Sequence, residues 1–187
     1  MIQGAIILAL NFQEKRKMTV SLRIVGIFYH QTDIPYVADM TVADVLSAAR
    51  QSPGGQADMF GFDEGQLMTP GPDKGKPSIT SFFANYPKGV TSETSGIQYP
   101  AGEYSLGEDL QGRPAYTVWQ YYVFSSPLQG GGATYIPNSP RIETFAEAKV
   151  PDDGMVVWRL CSILAGPNPV PPRLRRSLMG ERGKVMS

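Results

Sequence analysis

Residues 40–50 read MTVADVLSAAR, and this stretch decides the fold. Thr41 is a good helix N-cap, because its hydroxyl accepts from a first-turn backbone N–H that has no partner within the helix. Asp44, three residues on, completes a capping box, with Asp in place of the usual Glu or Gln. Val42, Val45, Leu46 and Ala49 fall at i, i+3, i+4 and i+7 and form one apolar stripe. Residues 52–55, SPGG, stop the helix. A helix with one apolar stripe must bury it on a neighbour, and the segments on either side read as strands.

Upstream, residues 19–29 (TVSLRIVGIFY) are rich in β-branched and aromatic side chains. Val20, Leu22, Ile24, Gly26 and Phe28 alternate with Ser21, Arg23, Val25 and Ile27, polar on one face early and apolar on both later. Gln31-Thr32-Asp33 reads as the hairpin turn. Residues 34–38 then read as a second strand, which Pro35 pushes toward a sheet edge.

Downstream, residues 115–124 (AYTVWQYYVF) are the strongest strand in the chain, with Tyr116, Val118, Gln120 and Tyr122 opposing Thr117, Trp119, Tyr121 and Val123. Gly130-Gly131-Gly132 marks a flexible turn, and the alternation in residues 141–150 (RIETFAEAKV) predicts a further strand. Residues 151–154 (PDDG) predict a turn in which Pro presets φ, Asp caps locally and Gly supplies positive φ. The turn opens onto the final strand, MVVWRL at 155–160.

Residues 57–114 are less regular. Met59-Phe60-Gly61-Phe62 reads as a short strand and residues 69–77 (TPGPDKGKP) as a loop. Residues 79–86 fit a strand or a single helical turn. Residues 99–106 (YPAGEYSL) hold a turn and a short extended stretch.

The order of hairpin, helix, later strands and a final strand resembles a β-grasp (ubiquitin-like) domain. MTVADVLSAAR resembles the TV-x-D-x-L-x-A helix start common in that group. WQYYV at 119–123 and DGMVVWRL at 153–160 resemble the closing strands of the module at the C-terminal end of cobalamin carriers and related bacterial proteins. The resemblance implies an α+β fold: a β-grasp-like mixed sheet packed on one main helix, with a long irregular or β-rich insertion and extended termini. The long segment 57–114 and a Pro-rich basic tail depart from that pattern. The sequence ends Val185-Met186-Ser187 rather than Gly-Gly, so the resemblance does not imply conjugation. Nor does it imply cobalamin binding, because fold does not carry function.

The 187 residues, 42% of them hydrophobic, are enough for one domain with a core and tails. The expected organisation is an N-terminal extension at 1–17, a single domain at 18–165 and a tail at 166–187. The apolar run at 4–10 (GAIILAL) is too short to span a bilayer. It lacks the basic n-region and cleavage pattern of a secretory signal, so residues 1–17 read as a leader or upstream extension; a segment that docks on a partner is the rival reading. The expected location is cytoplasmic.

Zero net charge hides an asymmetry. The tail carries Arg173, Arg175, Arg176, Arg182 and Lys184 against Glu181, and residues 1–17 carry Lys15, Arg16 and Lys17 against Glu14. Residues 18–165 hold nine Lys/Arg against fifteen Asp/Glu, a net −6. An acidic body with basic ends suits self-association or docking on an acidic surface.

Few residues are suited to catalysis. Cys161 is the single cysteine and His30 the single histidine, which excludes an internal disulfide, a thiolate-rich zinc site and a multi-His metal site. No cofactor is expected. Cys161 follows Trp158 and Leu160 and reads as a small buried hydrophobe. The adjacent carboxylates Asp63-Glu64, Glu108-Asp109 and Asp152-Asp153 read as solvated turns. The three glycines lack the strand–loop–helix setting and the Lys-Ser/Thr of a phosphate cradle. Trp119, Tyr121 and Tyr122 have no interleaved basic residue and read as core rather than as a platform for bases.

In the tail, Arg173, Arg175 and Arg176 follow GPNPVPP at 166–172, a stretch suited to polyproline II, and are the candidate partner-binding residues. The expected function is a non-catalytic binding or assembly subunit that docks on a protein partner or self-associates through its sheet edge and terminal segments. The alternative is a small-molecule binder or small enzyme using a cleft formed by 57–114 and lined by His30, Tyr99, Tyr104 or Tyr121. Nucleic-acid binding through the tail ranks last, because the body is acidic.

Overall fold

The computed structural model describes residues 18–67, 74–108, 115–125, 135–136 and 143–164. The residues form a mixed α+β structure. The hairpin strands are β1 (Thr19–Ile24) and β2 (Tyr29–Pro35), and they are followed by helix α1 (Val42–Gln51). Next come β3 (Met59–Gln66), β4 (Pro77–Tyr86), β5 (Val90–Thr91), β6 (Gln98–Tyr99) and β7 (Gly102–Gly107). The last three are β8 (Ala115–Phe124), β9 (Tyr135–Ile136) and β10 (Met155–Leu164). The main sheet runs β2-β1-β10-β8-β9, a second sheet runs β3-β4-β7, and β5 pairs with β6. β1 and β10 are parallel, with Ser21 to Ile24 beside Met155 to Trp158. The other pairings are antiparallel.

The helix start is as the sequence predicts. Asp44 N–H donates to Thr41 Oγ1 at 3.2 Å, and the Thr41 N–H donates back to Asp44 Oδ2 at 2.8 Å. Hydrogen bonds from the Thr41 side chain and backbone hold the Asp44 carboxyl below its usual range. Val42, Val45, Leu46 and Ala49 are all buried.

The strand expected at 141–150 is not found: residues 143–150 form a turn with one isolated bridge, Thr41 to Lys149, and residues 141–142 lie outside the described residues. Thr144 and Glu147 repeat the Thr-x-x-acid spacing, with Thr144 Oγ1 donating to Glu147 Oε2 at 2.8 Å. Phe145 and Ala148 are buried at i and i+3, the spacing of a helical turn rather than of a strand. Their carbonyls accept from Ala43 N–H (2.9 Å) and Val42 N–H (3.0 Å), so this turn caps the first turn of α1.

Two turns also differ from expectation. The hairpin turns at residues 25–28 rather than at 31–33. Gly26 (φ +111°) and Phe28 (φ +62°) supply the positive φ values, and Ile27 is fully buried. Gln31 belongs to β2, where its amide donates to Ser52 O at 3.1 Å and its side-chain oxygen accepts from Tyr29 Oη at 2.7 Å. A buried, satisfied glutamine thus reads as a turn residue from sequence alone. In the 151–154 turn, Asp153 rather than Gly154 takes the left-handed conformation, at φ +52°. Gly154 is needed for space, since a Cβ there would stand 2.7 Å from Pro151 O.

Residues 57–108 are β-rich. The stretch at 79–86 is a strand, and the short strand at Met59 extends to Gln66. The second sheet packs its Phe82 into the main sheet, edge-on to Trp119 (ring centroids 4.8 Å apart) and to Trp158 (5.3 Å). Phe60 stacks on Tyr29 at 4.1 Å. These rings and the helix stripe belong to one continuous core. Phe82→Ala should therefore cost about 3–5 kcal/mol in denaturant-unfolding measurements, because the two indoles around it cannot collapse into the space.

Candidate functional site

The turn between β1 and β2 is held from two sides. The Ile27 side chain is buried, and the Ile27 carbonyl accepts from Tyr86 Oη at 3.0 Å. Burial pushes the Tyr86 phenol well above its ordinary pKa. At Gly26 a Cβ would stand 2.7 Å from Leu106 Cδ2, so the turn lies directly against β7. With Ile27 anchored inward, Phe28 is held at φ +62°, a region that costs a non-glycine residue on the order of 1–2 kcal/mol.

Phe28 in that conformation meets two tyrosines. Its ring centroid is 4.3 Å from Tyr99, tilted by 31°, and 5.6 Å from Tyr104, nearly edge-on. Tyr104 is edge-on to Tyr99 at 6.4 Å and to Tyr86 at 5.8 Å. Tyr104 Oη donates to Pro100 O at 2.8 Å, which fixes the ring over the β6–β7 turn. Phe28, Tyr99 and Tyr104 are half-buried, and Tyr86 lies buried beneath them. Two large apolar side chains, Val25 in the same turn and Ile97 two residues before Tyr99, are exposed.

Two residues beyond Phe28, His30 Nδ1 lies 2.7 Å from Glu93 Oε2, an ion pair when the imidazole is protonated. It ties β2 to the segment linking β5 and β6. The Thr91 N–H donates to Gln56 Oε1 at 3.1 Å and ties the same ribbon to the segment after α1.

Of the residues expected to line a ligand site, Tyr99 and Tyr104 are brought together and His30 stands close by in the chain. Tyr121 is elsewhere: its ring is fully buried 5.2 Å from Trp158, and its hydroxyl donates to Glu143 O at 2.8 Å. Arg173, Arg175 and Arg176 lie outside the described residues, as do Gly130 to Gly132, residues 1–17 and the tail. Sequence reasoning missed Phe28, which read as one more strand residue. The available signal was Gly26, a lone glycine within an apolar strand pattern, which marks a bend or a close approach.

The carboxylates separate by environment. Asp63 and Glu64 are exposed, and Asp63 accepts from Ser81 Oγ. Glu108 accepts from the Trp119 N–H at 3.0 Å, joining the end of β7 to β8. Burial pushes its carboxyl up to about 7, and the Trp119 hydrogen bond opposes that shift. Cys161 is half-buried, with its Sγ 3.7 Å from Tyr122 Oη. Among the described residues no three His, Cys, Asp or Glu side chains are grouped to hold a metal ion. No helix among them is long and apolar enough to cross a membrane. No protein-family model, curated protein or solved structure matches the chain.

Two outcomes follow from this geometry. Phe28→Gly should be less destabilising than Phe28→Val, by about 1–2 kcal/mol in urea unfolding, because glycine adopts φ +62° freely and a β-branched residue does not. Side-chain size alone predicts the reverse order. Glu108 binds its proton more tightly folded, near pH 7, than at its ordinary 4.5. Its contribution is therefore fully present below about pH 4.5 and is lost as pH rises through 7. Glu108→Gln, whose side-chain oxygen still accepts from Trp119, should flatten the fall in stability between pH 5 and 8 by about 1–2 kcal/mol, after solvent screening of a partly exposed group.

Proposed function

We propose that this chain is a non-catalytic binding or assembly subunit with a β-grasp-like body, and that it docks on a protein partner through the ring cluster at the β1–β2 turn. The β-grasp reading is supported by the hairpin and the final strand sharing one sheet, with β1 and β10 parallel at its centre and one helix following the hairpin. On this reading the second sheet is the insertion. The single free thiol suits a cytoplasmic protein.

The observation that carries the binding reading is the half-exposed trio Phe28, Tyr99 and Tyr104, one member of which is held in a strained backbone conformation. Aromatic side chains dominate the energetics of protein interfaces, and backbone strain collects at contact sites. The open strand edge is a weaker candidate. β2 is an edge of the main sheet, but exposed Asp33 and Pro35 guard it against strand addition. A second reading, small-molecule binding at the same surface, is favoured by the His30–Glu93 pair beside the rings; native mass spectrometry of the purified protein tests it by the presence of a bound metabolite.

The test is affinity copurification from the native host with the native chain and with Tyr99→Ser and Phe28→Gly. Loss of one defined partner from both variants, with circular dichroism unchanged, is the expected result. A partner retained equally by both variants, or a strictly monomeric protein that retains none, overturns the reading.

A further inference from the structure

We propose that the chain's own Pro-rich segment, residues 166–176 (GPNPVPPRLRR), seats on the Phe28–Tyr99–Tyr104 cluster of the same molecule. This rests on the reading of that cluster as a contact surface and names its occupant in the free protein. Topology, reach, charge and ring chemistry each support it.

β1 and β10 run parallel, and Ile24, the last residue before the turn that carries Phe28, lies beside Trp158. β10 continues past that level to Leu164, paired with β8 as far as Ala115. The chain therefore leaves β10 at the end of the sheet where the ring cluster sits. The six residues after Trp158, to Leu164, carry the strand about 20 Å further. The eight residues from Ala165 to Pro172 would span about 25 Å at the 3.1 Å per residue of polyproline II, enough to reach back over the rings.

The segment's chemistry matches what lies there. Pro167, Pro169, Pro171 and Pro172 make it stiff, apolar and cheap to order, and Pro-rich segments dock on clustered aromatic rings. Arg173, Arg175 and Arg176 follow directly, and residues 18–165, which they would meet, carry a net −6, with exposed Glu93 paired to His30 two residues beyond Phe28. A partner docking on the rings would have to displace the segment.

The test uses the full chain, isotope-labelled, with Cys161→Ser and a nitroxide on Ser177→Cys. Selective loss of amide signals from residues 26–30 and 98–106 is expected. The same spectrum with Pro169→Ala, Pro171→Ala and Pro172→Ala added should recover those signals. Cys161→Ser, within β10, is common to both spectra, and the proline and Ser177 changes lie beyond the described strands, so a failure to fold does not confuse the comparison. Uniform or absent broadening overturns the proposal. So does broadening that survives the proline substitutions, which would mean that charge alone brings the tail near. Broadening seen only on mixing an unlabelled spin-carrying chain with an isotope-labelled chain lacking the spin also overturns it, since the contact is then between molecules. If broadening is absent but Tyr99→Ser still loses its partner, the tail assignment fails and the binding reading stands. If broadening is present and the partner is insensitive to the rings, the binding reading fails and the tail assignment stands.

Discussion

The parallel pairing of β1 with β10 is the constraint on which the rest of the structure depends. It joins residues 21–24 to residues 155–158, so forming this contact closes a loop through all of residues 25–154. Such a closure carries a large entropic cost, which the contact must offset through the apolar surface it buries. The four paired positions on β1 and β10 supply Leu22, Ile24, Val156 and Trp158, all almost fully buried. Once they meet, α1 has a surface for its stripe, and β8 has a partner along its full length in β10.

The second sheet depends on that closure as well. Phe82 lies between Trp119 of β8 and Trp158 of β10, so the second sheet is keyed to two strands that adjoin only after the main sheet forms. Tyr86, at the end of β4, reaches back to the carbonyl of Ile27 and pins the hairpin turn. The segment from β3 to β7 thus does more than fill space. It sets the conformation of the turn and, with Tyr99 and Tyr104 from its own ribbon and edge strand, builds the ring cluster around Phe28. Strain at Phe28 persists because Ile27 on one side and the rings of Tyr99 and Tyr104 on the other over-determine it.

Helix α1 was legible from its cap and stripe alone, because both are local: Thr41 and Asp44 are three residues apart, and a 3.6-residue period needs no knowledge of what it packs on. Strand β8 was legible for the same reason, and its largely apolar partner β10 nearly so. The errors have one shared cause. Gln31 looks like a turn residue until Ser52 and Tyr29 satisfy its amide, and residues 143–150 look like a strand until α1 needs acceptors for the N–H groups of its first turn. In both places a distant partner overrides a local pattern.

The sequence by itself determined the helix, the principal strands and the paucity of catalytic groups, since these rest on residue type and short-range periodicity. Tertiary structure alone decided that Phe28, Tyr99 and Tyr104 share one surface. Phe28 and Tyr99 are far apart in the chain, and nothing in their immediate neighbours says which rings they will meet. That choice follows from which sheet each strand joins and how the two sheets pack, and those are decided by contacts between residues far apart in the chain.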